Sequence, residues 1–274
     1  MNMAWEKTIQ IPLKGRSSKP RNNGITMVID KGMGFHHVED LTATSARYID
    51  IIKLTFGTSA FYEEEFLIKK NAMLHSANID VMPGGTFFEI AVWQNSLDKY
   101  LKRAENLGFS TIEISDGTID MSLSIREDAI KKSLDAGFKV ITEVGKKDPK
   151  EALPIALIHR LIRKDLENGA SKVIIEAREA GKGVGIFDTN GKIKNSELEN
   201  IIAGVNDVND IIWEAPIKNQ QQALIIRCGT NVNLGNIPPD EILALEALRQ
   251  GARGDTLKRA YIAKKDWKNR KQME

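Results

Sequence analysis

Apolar runs of strand length alternate with longer amphipathic stretches along most of this 274-residue chain. That rhythm marks βα units that feed a parallel sheet. It predicts strands near 25–30, 49–55, 78–82, 110–115, 138–144, 172–177, 210–215 and 230–234. Between them, helical periodicity runs through segments such as Ala60–Ser76 and Phe87–Leu107. Helix starts are marked by Ser124 with Glu127, Ser196 with Glu199, and Asp148–Pro149 with Glu151. Glycines just before strands, at Gly108, Gly137 and Gly169, mark helix ends. Eight strands and about eight helices predict an α/β fold, a single (β/α)8 TIM barrel. A doubly wound open sheet is the alternative, because strand number alone does not establish closure. The expected organisation is an N-terminal arm over 1–23, a barrel over 24–257 and a basic C-terminal tail over 258–274. The last 15 residues are expected to form a helix or to fray.

Successive side chains of a strand face opposite sides, so the same pattern says what points inward. In 111–116, Ile112 and Ile114 face the helices, leaving Glu113 and Ser115 inside. Val173 and Ile175 point outward, with Ile174, Glu176 and Arg178 inward. Ile211 and Trp213 point outward, with Ile212 and Glu214 inward, and Ile51, Lys53 and Thr55 share one face. Four strands thus end on a glutamate: Glu113, Glu143, Glu176 and Glu214. Gathered carboxylates repel one another unless a cation holds them. Bases follow closely, as Lys146–Lys147 and as Arg178 with Lys182. Each acid could instead pair with one neighbour as a structural ion pair. Four in register favour an active site for an anionic substrate and a hard cation with oxygen ligands, Mg2+ in particular.

Composition narrows the class. The chain is 42% hydrophobic and 28% charged, ordinary for a soluble globular protein. No apolar run approaches the roughly 18 residues that span a membrane, and the first 24 residues lack the apolar stretch of a secretory signal. Cys228 is the only cysteine, so no intrachain disulfide forms and a reducing cytoplasm fits. The net charge of +2 hides an asymmetry: residues 25–257 hold 27 bases and 34 acids, and the ends are basic. The Lys-rich tail lacks the interleaved aromatics of a single-strand groove, so it reads as solvated and nucleic acid is not an expected partner. Homo-oligomer formation stays open.

Two glycine motifs add candidates. Gly181–Gly185 is neither a Walker motif nor GxGxxG, yet Gly181 and Gly183 could offer amides to an anion or form a tight turn. Met82–Thr86, with Gly84 and Gly85, opens a helix and is either a second anion cradle or a plain turn. Asp30–Lys31–Gly32 adds acid and base to the same rim. The four histidines have no ligand spacing: His36–His37 read as a polar loop and His159 as a structural helix residue. No GxSxG elbow appears, so triad chemistry is not expected.

DKGMG (30–34), KLTFGTSA (53–60), MPGGTFFE (82–89), EISDGT (113–118), TEVGKK (142–147), IIEAREAGKGVGIFD (174–188), EAP with Gln220–Gln222, and NVNLGNI followed by LRQGARGDT resemble the phosphosulfolactate synthase family. The resemblance runs from about residue 24 to 257. It implies a (β/α)8 barrel and Mg2+-dependent addition of sulfite to phosphoenolpyruvate, giving (2R)-phospho-3-sulfolactate. In that family the reaction serves coenzyme M synthesis in methanogens and sulfolactate production in spore-forming bacteria. The resemblance puts the general acid on the lysine pair, Lys147 before Lys146. Lys53, Arg178, Lys182, Gly181, Gly183, Gly84, Gly85 and Ser115 are the candidates for substrate binding. Glu143 and Glu176, then Glu214 and Glu113, are the candidates for metal. Two alternatives stand beside this reading. One is a Schiff-base aldolase with an inward lysine such as Lys53; the other is a non-catalytic stress-related barrel, as plant relatives with the same motifs raise.

Overall fold

The computed structural model describes residues 4–271. Its strands are β1 (Thr26–Asp30), β2 (Ile51–Leu54), β3 (Asp80–Met82), β4 (Thr111–Ile114), β5 (Lys139–Val144), β6 (Lys172–Ile175), β7 (Ile211–Glu214) and β8 (Asn233–Ile237). All neighbours pair in parallel, in the order β3-β2-β1-β8-β7-β6-β5-β4. β8 pairs with β1, which a doubly wound open sheet does not do, so the sheet curls into a nearly closed barrel. At the remaining junction Ser110 N donates to Val81 O at 3.1 Å, and Val81 N donates to Ser110 Oγ at 3.1 Å. A serine hydroxyl thus stands in for a ladder rung between β3 and β4.

The helices are α1 (Phe35–Ser45), α2 (Glu64–Ser76), α3 (Gly85–Trp93), α4 (Leu97–Asn106), α5 (Leu123–Asp135), α6 (Ile155–Glu167), α7 (Asn195–Ala203), α8 (Lys218–Cys228), α9 (Ile242–Arg249) and α10 (Gly254–Lys271). Gly108, Gly137 and Gly169 end α4, α5 and α6 with φ of 76°, 86° and 101°, as the sequence predicts. Several boundaries differ. Phe87–Leu107 is not one helix: Asn95, at φ 50°, turns the chain between α3 and α4, a conformation asparagine tolerates. The 60–76 segment starts with a short 3-10 turn before α2. Ser122, not Ser124, caps α5 by accepting from Ile125 N at 3.3 Å. Ser196 lies inside α7, where Lys194 occupies the cap without a side-chain bond. The last strand begins at Asn233 rather than near 230, because Thr230 is turned to Arg249 O and Asn231 accepts from Ser17 N of the arm.

The core has two layers. Val28, Ile52, Leu54, Ile112, Ile114, Val173, Ile175, Ile211 and Trp213 pack under the helices. Ile25, Met27, Ile51, Met82, Ile141, Ile174 and Ile212 fill the barrel itself. The predicted parity holds within the strands named, and Arg178, placed inward by the same rule, lies past the end of β6. The arm is tied beneath the barrel: Arg16 Nε bonds Glu246 at 3.0 Å, Lys19 Nζ bonds Ile49 O at 2.5 Å, and Arg21 Nε bonds Asp50 at 2.9 Å. The end of the chain is helical through Lys271, and the last three residues of the basic tail lie outside the described residues. Among the described residues no helix is long and apolar enough to cross a membrane.

Candidate active site

The inner face changes character at the carboxyl ends of the strands. Lys53, Glu113, Glu143, Glu176 and Glu214 are all buried there. One oxygen from each of Glu143, Glu176 and Glu214 lies within 4.8 Å of the others. Glu176 Oε2 is buried beside Lys147 Nζ, at 3.0 Å. Three convergent carboxylates and no Cys or His form a donor set that fits a hard divalent cation. Glu113 lies outside that set, and its oxygens accept from Lys53 Nζ at 2.6 Å and from Gly85 N at 2.6 Å.

Two lysines divide the cluster between them. Lys53 Nζ lies 2.6 Å from Glu113, 3.2 Å from Glu143 and 3.3 Å from Glu214. Lys147 Nζ lies 3.0 Å from Glu143, 3.0 Å from Glu176 and 3.8 Å from Glu89. Burial works against the charge of Lys53, but Glu113, Glu143 and Glu214 outweigh it and raise its pKa well above the ordinary value. Lys147 is raised in the same way, burial being overcome by Glu143 and Glu176. Burial pushes Glu113 up to about 8 despite Lys53. Burial also lifts Glu176 well above the ordinary range, reinforced by Glu143 and Glu214. Glu143 goes the other way: Lys147 and Lys53 overcome its burial and hold it well below. One group of acids therefore contains members with opposed proton affinities, as acid–base sites do.

The other predicted residues separate into two groups. Gly84 and Gly85 line the cavity with Lys53, Lys147, Arg178 and the metal-type carboxylates. Gly84, at φ 84°, brings its Cα so near β2 that a Cβ would meet Leu54 O at 2.7 Å. Ser115 Oγ sits 2.9 Å from both Glu89 and Glu143, and one hydroxyl proton serves one of them at a time. Arg178 does not reach inward by strand alternation, because β6 ends at Ile175; at φ 62° it turns out to the exposed rim and still lines the cavity. Lys146 turns away, donating to Asp116 O at 2.7 Å and Ile119 O at 3.0 Å. Lys182 is exposed and outside the cavity lining. Gly181 N and Gly183 N are spent on Arg178 O and Asp188 O, at 3.3 and 2.9 Å, and Gln220 Nε2 bonds Gly181 O at 2.6 Å. That loop is a packed turn, and neither glycine lines the cavity.

Sequence reasoning missed two contributors, Glu89 and Asn236, and placed Asp30 on the rim without its role. Glu89 is buried on α3 and accepts from Thr118 N and Ile119 N, each at 2.8 Å, holding the loop after β4 beside Lys147. A lone acid in the apolar run TFFEIAV was its signal. Asn236, at φ 56° in a register shift between β8 and β1, lines the cavity with a buried Oδ1 that lacks a partner. Asp30 is fully buried, pairs with Lys70, and accepts from Gly32 N and Met33 N at 2.8 Å, fixing the first loop. A larger cavity of 350 Å³ lies outside the barrel among α2, α3 and α4, lined by Leu67, Phe87, Ile90 and Tyr100. It holds none of the strand-end groups, so the smaller cavity is the one with chemistry.

Comparison with known proteins agrees with this geometry. The family model for (2R)-phospho-3-sulfolactate synthase (ComA) matches residues 14–255, beginning inside the arm. A phosphosulfolactate synthase of Methanocaldococcus jannaschii is 46% identical over 235 residues, which is 85% of this chain and 93% of that one. One of Methanothermobacter thermautotrophicus is 45% identical over 244 residues, 88% of this chain and 94% of that one. Among solved structures, a phosphonopyruvate hydrolase superposes with a TM-score of 0.52 at 13% identity, covering 82% of this chain and 79% of that one. At such identity the likeness is one of fold alone.

Proposed function

The chain belongs to the (2R)-phospho-3-sulfolactate synthase family of enzymes, and from that premise we propose that it adds sulfite to phosphoenolpyruvate, with Lys147 as general acid and Mg2+ held by Glu143, Glu176 and Glu214. The observation that carries this reading is the contact of Lys147 Nζ, 3.0 Å from both Glu143 and Glu176, with a convergent carboxylate set. The sulfur lone pair of sulfite attacks C3 of the enol phosphate, and the C2–C3 π electrons move toward C2 and its carboxylate. Lys147, which keeps its proton well above the ordinary range, delivers that proton to one face of C2 and fixes the configuration. A divalent cation bound by the three glutamates supplies Lewis-acid stabilisation of charge developing on the substrate carboxylate.

The remaining groups bind and orient. Arg178 faces the cavity and suits anionic oxygens, and Gly84 lines the wall beside it, while the Gly85 amide is held by Glu113. Ser115 and Glu89 hold Glu143 and the loop beside Lys147. A Schiff-base reaction at Lys53 is not favoured, because an imine needs the neutral amine and three carboxylates keep Lys53 charged. The enzyme works in the cytoplasm in this reading, in keeping with a single half-buried cysteine. Incubation with phosphoenolpyruvate, sulfite and Mg2+ should give a mass adduct of the two substrates, abolished by chelator and restored by added Mg2+. No adduct with any divalent metal would refute the activity and leave the fold intact.

A further inference from the structure

The cavity that holds the acid–base cluster measures 60 Å³. At about 30 Å³ of liquid volume per water, it has space for about two solvent molecules and not for an enol phosphate together with sulfite. A second cavity of 390 Å³ lies beside it, lined by Ile29, Lys31, Gly32, Met33, His37 and the 238–240 turn. Ile29 lines both cavities, Glu179 lines the inner one and Lys31 the outer. Lys31 and Glu179 form an ion pair, tying the loop after β1 to the turn after β6. Their side chains are 49% and 45% exposed, and exposed pairs of this kind are weak.

Inside the inner cavity the positive charge is already committed. Lys53 is held by three glutamates, and Lys147 by three, counting Glu89. Apart from a bound cation, carboxylates outnumber the two ammonium groups there, so the protein's own inner side chains leave little attraction for the substrate phosphate. The cations with charge to spare stand at the rim: Arg178, whose Nη1 meets Lys147 O at 3.5 Å, and Lys31, whose partner Glu179 is a surface acid. A phosphate dianion carries twice the charge of a carboxylate and at equal distance attracts an ammonium group more strongly.

We infer that Lys31 is the anion-binding residue of an outer subsite, and that Glu179 occupies its place until the substrate phosphate displaces it. This subsite rests on the phosphoenolpyruvate reading of the inner site. The test uses Lys31→Met, Glu179→Gln and the double variant, each checked for an unchanged melting temperature. Two quantities are read: KM against kcat in the sulfite reaction, and the Kd for phosphoenolpyruvate alone by calorimetry. Lys31→Met should raise Kd and KM for phosphoenolpyruvate on the order of tenfold, with the effect in KM rather than kcat. Glu179→Gln should lower both several-fold, and the double variant should match Lys31→Met, since Glu179 then has nothing to occupy. Equal affinity in the wild type and Lys31→Met, weaker binding in Glu179→Gln, or no binding by the wild type overturns the subsite. A wild type that forms no adduct but whose phosphoenolpyruvate affinity follows this pattern sinks the reaction and keeps the subsite.

Discussion

Four strands make the same change of character over two residues. Ile51, Ile141, Ile174 and Ile212 fill the floor of the barrel, whereas Lys53, Glu143, Glu176 and Glu214, next along the same inner face, line its mouth. The floor is held by burial of apolar area, which is non-directional and asks only for volume. The mouth depends on direction: every acid there is tolerable because a lysine, a serine hydroxyl or a backbone amide sits within hydrogen-bond distance. One end of the interior stabilises the fold, and the other confines charges that repel one another.

The sharpest way to separate the two ends is to remove one group from each. Lys147→Ala should lower kcat by about 10²–10⁴, measured in the sulfite reaction, while the circular dichroism spectrum stays that of the parent. A variant that turns over at the wild-type rate would take Lys147 out of the mechanism. Ile174→Ala, one layer below Glu176, should do the reverse. It leaves a cavity in the floor and should cost about 2–5 kcal/mol in urea unfolding, with KM for both substrates little changed. If Ile174→Ala instead alters KM as much as stability, floor and mouth are one cooperative unit and the contrast fails.

How much of this was legible in the sequence follows from the same contrast. Alternation within short strands is a local property, so the inward sets Ile174–Glu176, Ile212–Glu214 and Ile51–Lys53 read correctly from neighbours alone. Closure was not local: it depends on β8 pairing with β1 and on Ser110 bridging to Val81, which no strand count contains. Loop residues were the hardest. Lys146 and Lys147 are adjacent and chemically identical, and only the path of the chain after β5 sends one to Asp116 and the other to Glu143. Arg178 and Asn236 reach the cavity through positive φ, where a period-2 rule no longer applies. Gly181–Gly185 has the composition of an anion loop, but the amides of Gly181 and Gly183 are taken up by the turn it makes.

A smaller effect tests whether the mouth stores electrostatic cost. In metal-free protein, burial pushes Glu113 up to about 8 from its ordinary 4.5. Between those values the folded chain holds a proton that the unfolded chain has released, so folding takes up a proton there. The contribution of Glu113 is then fully present below 4.5 and is lost as pH rises through about 8. Glu143, held well below the ordinary range, has the opposite sign: its contribution is present above 4.5 and disappears only as pH falls further. The two windows do not overlap, so the slope between pH 5.5 and 7.5 reports the raised acids. Glu113→Gln should flatten the fall of unfolding free energy over that range by up to about 1.4 kcal/mol per pH unit, read from urea titrations at each pH in the presence of chelator. Parallel slopes for wild type and Glu113→Gln would mean that Lys53 and the Gly85 amide keep Glu113 ionised, and that the mouth is neutralised from within before any cation arrives.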